Sequence, residues 1–459
     1  MTSPPKFAIV TIGSGSYLGS TVHDVTLANS LRRRGYEVVV YWMFEETPEL
    51  VDEGVEQRML CHGTRYQFSR PSEIMDRIIG RIAFRLPRKL RRAVAQGVPG
   101  FVENLMRNLV RSLYYYEQTD VALAKRLARF IEQDGVTHVK MSFGSIGSLA
   151  LEARKHTRKT FDYLVTFQGD EEFASLADAC GVIDVYRRRV DEAVRNARWP
   201  AIVLSRSYAS RLVDELGLDG SRLEILYCGI ELPKDDAAPP DFSILTETFP
   251  RLRRDLPIIA FVGRQESEKG IDLLLYATKM LLARGVRFQL VVCGATAKGL
   301  AYRTTIREMV THLGLDLHHS GAVSAATRDA LFAHCRCAVC PSINGEPFGL
   351  VVAEAMSFGA PAVVPDYGGV AEVVDGGDIE GGLVFRCWDS GDLARQLERL
   401  LTDDALHAEL AGNARRVAAR FSTSRMVDGF LDHVGLPHRA LPQARPIDAS
   451  SRKSIVESQ

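Results

Sequence analysis

Several things this sequence lacks narrow it before any motif is read. It has no net charge, since 57 basic and 57 acidic residues cancel over 459. No global field therefore draws it to nucleic acid, and nucleic acid is not expected as a partner. It has no apolar run near the roughly 20 residues that a bilayer-spanning helix needs. Met1 to Lys6 is polar and leads straight into an apolar run, without the charged start, apolar stretch and small-residue cleavage site of a secretory signal. A cytoplasmic protein is expected, at most peripheral on the cytoplasmic face of a membrane. The eight cysteines form no spaced framework, which reads as reduced thiols. Only Cys335, Cys337 and Cys340 cluster, and a strand through Cys337 and Cys340 points those two to opposite faces. A buried strand is expected there, and no metal site.

What is present begins with an apolar fraction of 46%, enough for two domains of roughly 200 residues each. Phe7 to Ile12 reads as a strand, followed by a glycine and serine loop from Gly13 to Ser20, a helical pattern from Thr21 to Arg34, and a second strand from Glu37 to Trp42. That opening is typical of a doubly wound sheet. Strands are expected again over 136–143, 163–167, 201–204 and 225–228. The stretch from Glu231 to Pro250, rich in proline and acid, breaks the series, with the linker proper at 236–250.

A second alternation starts with strand 258–262 and a helix whose Ile271, Leu274, Leu275, Leu281 and Leu282 recur at helical spacing up to Gly285. It continues through strands 287–293, 317–319, 337–341 and 362–364 and helices 304–313, 326–334 and 350–357. The prediction is α/β, with two doubly wound Rossmann-like domains facing each other across a cleft. Their expected bounds are 1–235 and 251–421. A C-terminal helix at 422–437 is expected to pack back towards the first domain, and a flexible tail to occupy 438–459.

The segment from Gly345 to Met356 carries two carboxylates eight positions apart across a loop-to-helix junction. Glu346 precedes the helix and Glu354 lies on its second turn. Between them the amides of the first turn, Leu350 to Val352, form an anion site. A diphosphate resting on those amides leaves one carboxylate for sugar hydroxyls and the other for a ribose diol. Arg264 and Lys269, after the first strand of this half, stand where open α/β sheets bind ligands. They suit stabilisation of a diphosphate leaving group.

These residues carry a resemblance. The runs F-V-G-R-x(4)-K-G-I-D-L-L-L, V-V-C-G and E-P-F-G-L-V-V-A-E-A-M-S-F-G-A-P-A-V-V-P-D-Y-G-G-V-A-E-V-V closely resemble family 4 glycosyltransferases of the GT-B fold, across about 160 residues from Ile258 to Phe421. The resemblance implies a retaining enzyme that moves a hexose from a UDP- or GDP-sugar without cofactor or metal. It implies that Arg264 and Lys269 bind the diphosphate, that Glu346 meets the donor sugar and that Glu354 holds the ribose. Leu350 and Val351 then give backbone amides to the phosphate, and Gly263, Gly349 and Gly19 belong to the donor site. Gly19 stands in a loop where the family's paired glycines are replaced by Leu18-Gly19. Where many relatives carry a histidine against the donor sugar this chain has Gln168, followed by Asp170 and Glu171, which are candidates for acceptor contact. Gln168 hydrogen bonds but does not titrate. That departure keeps open a protein that binds a nucleotide sugar with weakened turnover, alongside an epimerase or hydrolase on the same scaffold.

The acceptor that the resemblance implies is expected to be a glycan, a glycolipid or a small phosphorylated molecule. The one strongly biased stretch lies in a helical insertion at about 70–120. Its Arg77 to Arg111 portion holds nine basic residues against the single acid Glu103, interleaved with apolar ones and interrupted by Pro87. Such a segment covers the domain, contacts an anionic membrane or grips an anionic acceptor. Tyr114 to Tyr116 beyond it are read as core or as a stacking surface for sugars.

Overall fold

The computed structural model describes residues 5–13, 19–43, 45–61, 121–169, 171–179, 182–234, 238–295 and 300–439. The basic insertion, Tyr114 to Tyr116, Asp170 and the tail from 440 onward lie outside them.

The first lobe contains β1 (Lys6–Thr11), α1 (Gly19–Arg33), β2 (Glu37–Trp42), β3 (Glu56–Met59), α2 (Val121–Asp134), β4 (His138–Met141), α3 (Gly144–Ala153), β5 (Asp162–Phe167), α4 (Glu171–Ala179), α5 (Ile183–Arg195), β6 (Ala201–Val203), α6 (Arg206–Leu216) and β7 (Leu223–Ile225). Its seven described strands run in the order β3-β2-β1-β4-β5-β6-β7, with every described pairing parallel. A parallel sheet needs cover on both faces, and the central strands are apolar on both. Phe7 and Ile9 of β1 join Val25, Leu27 and Leu31 of α1 on one side. Ala8 and Val10 join Leu127 of α2 and Ile146 of α3 on the other.

The second lobe contains α7 (Ser243–Thr248), β8 (Ile258–Val262), α8 (Ile271–Ala283), β9 (Gln289–Cys293), α9 (Leu300–Leu313), β10 (Leu317–His319), α10 (Ala325–His334), β11 (Cys337–Val339), α11 (Leu350–Ser357), β12 (Ala362–Pro365), α12 (Val370–Val374), β13 (Gly382–Phe385), α13 (Ser390–Thr402) and α14 (Asp404–Ala418). Its order is β10-β9-β8-β11-β12-β13, again parallel throughout the described pairs. The strand order reverses between β1 and β4 in one sheet and between β8 and β11 in the other. Such reversals open the crevices where doubly wound sheets take ligands.

The last helix, α15 (Thr423–His433), places Met426, Val427, Phe430 and Leu431 in the same cluster as Val25 and Leu31 of α1. Arg34 ion-pairs with Asp428 beside it. Two local readings shift. The strand expected at 225–228 sits at 223–225: the Leu226 amide makes a last bond to the Val203 carbonyl at 3.0 Å, and Cys228 and Ile230 beyond it turn into a core cluster with second-lobe residues. The second half of the expected linker forms α7, whose Leu245 packs with Phe242 and Phe249 against Val291 and Leu331. Cys337 and Cys340 are buried in two different clusters, and burial pushes both thiols up to about 12.

Candidate active site

The switch point between β8 and β11 sets the site. After β8 the chain makes a short turn over Ser267–Lys269, and Glu268 fastens that turn to the loop after β11. Its carbonyl accepts from the amide of Ile343 at 2.9 Å and from Ser342 Oγ at 3.1 Å. The two loops are thereby locked side by side, and Lys269 Nζ forms an ion pair with Glu346. Arg264 lies between β8 and that turn, its guanidinium donating to Glu266 at 2.6 Å and to Glu268 at 2.9 Å. These carboxylates hold two nitrogens of the fork in fixed directions, so the cation is oriented before any anion arrives.

Electrostatics follow from burial and pairing. Burial opposes the charge on Lys269, but the Glu346 carboxylate beside it holds its pKa above the ordinary lysine value. Burial likewise opposes ionisation of Glu346, and Lys269, with Arg264 helping, holds its carboxyl below the usual range. Arg264, Lys269 and Glu346 therefore form one ionised cluster. Glu354 is different. Burial raises its carboxyl, and its ion-pair partner is Arg328 of α10 at 3.3 Å rather than Lys269 or Arg264. Arg328 also pairs with Asp329 at 2.8 Å. Glu354 lies on the second turn of α11, eight residues after Glu346.

Between these groups α11 starts abruptly. Gly349 takes φ of 100°, and a Cβ there meets Val370 Cγ2 at 2.9 Å, so the turn into the helix admits only glycine. The amides of Leu350 and Val351 head the helix with no acceptor inside it. Val352 does not join them as expected, because its amide bonds the Gly349 carbonyl at 3.0 Å. The anion cradle is therefore two amides wide. Gly263 closes β8 with its amide on the Cys293 carbonyl at 3.0 Å, keeping the floor beneath Arg264 tight.

The first lobe reaches this cradle. A Cβ on Gly19 comes within 3.3 Å of Leu350 Cδ1, so the start of α1 lies against the start of α11. Arg211 of α6 donates to the carbonyl of Gly345, the neighbour of Glu346, at 3.1 Å. Glu372 of α12 accepts from the amides of Arg206 and Ser207 at 3.1 and 2.7 Å and from the Tyr227 hydroxyl at 3.0 Å. A second-lobe carboxylate thus caps a first-lobe helix.

Of the residues expected from the sequence, Arg264, Lys269 and Glu346 come together, Leu350, Val351, Gly349 and Gly19 meet at the helix start, and Glu354 sits on the same helix with Arg328. Gln168 lies in the first lobe at the end of β5, buried and bonded to Asp24. Asp170 and the side chain of Glu171 lie outside the described residues. Glu266, Glu268, Arg328, Arg211 and Glu372 were not anticipated. Glu372 is a single charge in a short apolar helix and Arg328 sits beside Asp329 in an otherwise ordinary one, so only the packing reveals their distant partners.

Residues 247–417 match the family model described as Glycosyl transferases group 1. A D-inositol 3-phosphate glycosyltransferase of Salinispora arenicola is 33% identical over 242 residues, which cover 50% of this chain and 53% of that protein. The chain thus spans about half the length of the curated relatives it matches. Two solved structures share the architecture at 16% identity. HepE of Anabaena, in complex with UDP and glucose, has a TM-score of 0.68 with 94% of this chain and 99% of that one covered. A glycosyltransferase from Rickettsia africae has a TM-score of 0.65 with 94% and 97% covered. Two parallel α/β sheets facing each other in this manner constitute the GT-B fold.

Proposed function

From the match of residues 247–417 to the model of group 1 glycosyl transferases we propose that the protein moves a hexose from a UDP- or GDP-sugar to a hydroxyl acceptor with retention of anomeric configuration. The observation that carries this reading is the Lys269 and Glu346 ion pair, set beside the oriented Arg264 and next to the two free amides that open α11. A diphosphate held there has its negative charge met by two cations and a helix amino end. In the reaction the bond from the anomeric carbon to the diphosphate oxygen breaks and its electron pair stays on that oxygen. Arg264 and Lys269 stabilise the charge that grows there. The acceptor hydroxyl approaches on the same face, its oxygen bonds the anomeric carbon, and its proton passes to a phosphate oxygen of the departing nucleotide. No protein base is needed in that scheme, and two side-chain cations make a divalent metal unnecessary.

Glu346 meets the hydroxyls of the transferred sugar and Glu354 the ribose diol, with Leu350 and Val351 on the phosphate. The names of the relatives favour a small phosphorylated polyol among the acceptor classes. The experiment is nucleotide release by the purified chain from UDP-, GDP- and ADP-sugars, each with and without D-inositol 3-phosphate, glycan and lipid-linked acceptors. Release that depends on an acceptor, with an α-linked donor giving an α-linked product, is expected. Consumption of donor without any acceptor identifies an epimerase or hydrolase, and binding without consumption identifies a protein that kept the pocket alone.

A further inference from the structure

The carboxylate that the transferase reading gives to the ribose is held from outside its own helix. α10 is capped by Ser324, whose Oγ accepts from the Thr327 amide at 3.0 Å. Its Ala330, Leu331 and Phe332 are buried in one cluster with Ala355 of α11, so the two helices pack along that face. Leu331 and Phe332 stand three and four residues after Arg328, which places Arg328 on the same face one turn earlier. Glu354, the neighbour of Ala355, meets it there, at the partly exposed edge of the seam.

Three bonds give the arrangement a direction. Asp329 Oδ1 accepts from Arg328 Nε at 2.9 Å and from Nη2 at 2.8 Å. Two bonds along one edge fix the guanidinium plane, and the remaining nitrogen, Nη1, donates to Glu354 Oε1 at 3.3 Å. The arginine side chain is 34% exposed and the glutamate 24%, so neither is a freely solvated surface charge. Oε1 is thus engaged, while among the described residues Oε2 accepts no hydrogen bond. Among the described residues Arg328 and Asp329 are the charged groups that act on Glu354. Burial raises its carboxyl, Arg328 opposes that rise, and Asp329 adds to it. A guanidinium does not give up its proton, so the opposing charge is permanent.

Resting on the transferase reading, we propose that Arg328, fixed by Asp329, is a positioning residue that keeps Glu354 charged with Oε2 left for the ribose, and so sets the preference of the site for ribonucleotides over 2′-deoxyribonucleotides. Without the arginine a carboxyl in this seam takes up a proton near neutral pH. A neutral carboxyl accepts from a hydroxyl more weakly than a carboxylate does. The difference is about threefold in affinity for one such bond and about tenfold for the two hydroxyls of a ribose diol.

The test is calorimetric titration of the full chain with UDP and GDP and with their 2′-deoxy counterparts, at about pH 7 to 9. Arg328→Met keeps most of the stem and deletes the charge. At neutral pH it is expected to bind the ribonucleotide about tenfold more weakly than wild type, and the 2′-deoxynucleotide, with one hydroxyl fewer, about threefold more weakly. Relative to wild type at the same pH, that deficit closes on the alkaline side as Glu354 ionises unaided. Arg328→Lys returns a cation without the fork, and carries the test should the methionine variant not fold. Its affinity is expected to change with pH as the wild type's does, while its ribose preference falls between the two, since one ammonium does not bridge Asp329 and Glu354 in a fixed plane. Three results overturn the proposal: a loss in Arg328→Met that is equal for both nucleotides at every pH, a ribose preference unchanged from wild type in either variant, or a pH dependence in Arg328→Lys that matches the methionine variant. Any of these in a protein that binds UDP or GDP and prefers ribose strikes this inference alone. A wild type that binds neither nucleotide removes the transferase reading, one that binds without preferring ribose removes the ribose role of Glu354, and either takes this inference with it.

Discussion

Replacing Lys269 with methionine keeps most of the side-chain stem and deletes only the ammonium. Two quantities then change by different amounts. In the free protein Glu346 loses its partner while still about five-sixths buried, since the paired side chains are 18% and 17% exposed. Breaking a fully buried pair costs about 3–5 kcal/mol. With partial exposure and Arg264 still nearby, about 1–3 kcal/mol is expected here. The sign with pH follows from Glu346. Its folded pKa is depressed in the wild type, so its stabilisation is present above the unfolded value and lost as pH falls through the folded one. In Lys269→Met that contribution disappears: burial, now opposed mainly by Arg264, pushes the Glu346 carboxyl up, so the deficit of the variant is full above that pKa and shrinks as pH falls through it. For the bound diphosphate, one charge-assisted hydrogen bond of about 1.5–3 kcal/mol disappears, a loss of roughly 10- to 150-fold in affinity. Calorimetric titration with UDP, GDP and ADP measures it. Adding Glu346→Gln separates the two effects, because the double variant regains stability without regaining affinity. A Kd within about twofold of wild type in Lys269→Met, for the nucleotide that wild type binds, refutes the diphosphate assignment.

Glu372→Ala removes three hydrogen bonds from the joint between the lobes and exposes the amino end of α6. A loss of about 1–2 kcal/mol is expected from helix-cap measurements, read by urea unfolding, with faster proteolysis in the 231–250 stretch. A change below about 0.3 kcal/mol contradicts a joint of this kind. On acidification, Glu354 protonates before Glu346, because burial raises the one and Lys269 lowers the other. Donor affinity is therefore full above the Glu354 pKa and weakens first as pH falls through it. Glu354→Gln flattens that limb, measured by titrations from pH 7 to 5, and an unchanged acid limb in the variant argues against the ribose role.

The parts of this site that were legible in the sequence are those encoded over short spans. Arg264 and Lys269 lie five residues apart in one turn, and Glu346 to Glu354 lie across one helix start. A loop and a helix of fixed geometry turn those spacings directly into distances. β3, with its sequence Glu-Gln-Arg-Met, has no apolar alternation and pairs only because β2 offers it an edge. Asp24 and Lys140 are 116 residues apart, and no local spacing brings them together. A signal for them did exist. A lysine between Val139 and Met141 in a strand covered on both faces must find a carboxylate, and Asp24 lies among apolar residues of a helix facing the same strand.

The joint between the lobes bears on how the donor site is held. Arg211 grips the carbonyl next to Glu346, Gly19 abuts Leu350, and Glu372, two residues beyond the Val370 that constrains Gly349, caps a helix of the first lobe. Two of these contacts end on the segment that carries the cradle, and the third ends on α12, whose Val370 packs against Gly349. The second lobe supplies the charges, but the first fixes part of the backbone that aims them. A change in lobe spacing therefore moves the cradle. Electrostatic stabilisation of a leaving group depends on donors held in place before charge develops. In this chain that pre-organisation is a property of the pair of lobes, and loosening the Glu372 cap is expected to weaken turnover beyond its cost in stability.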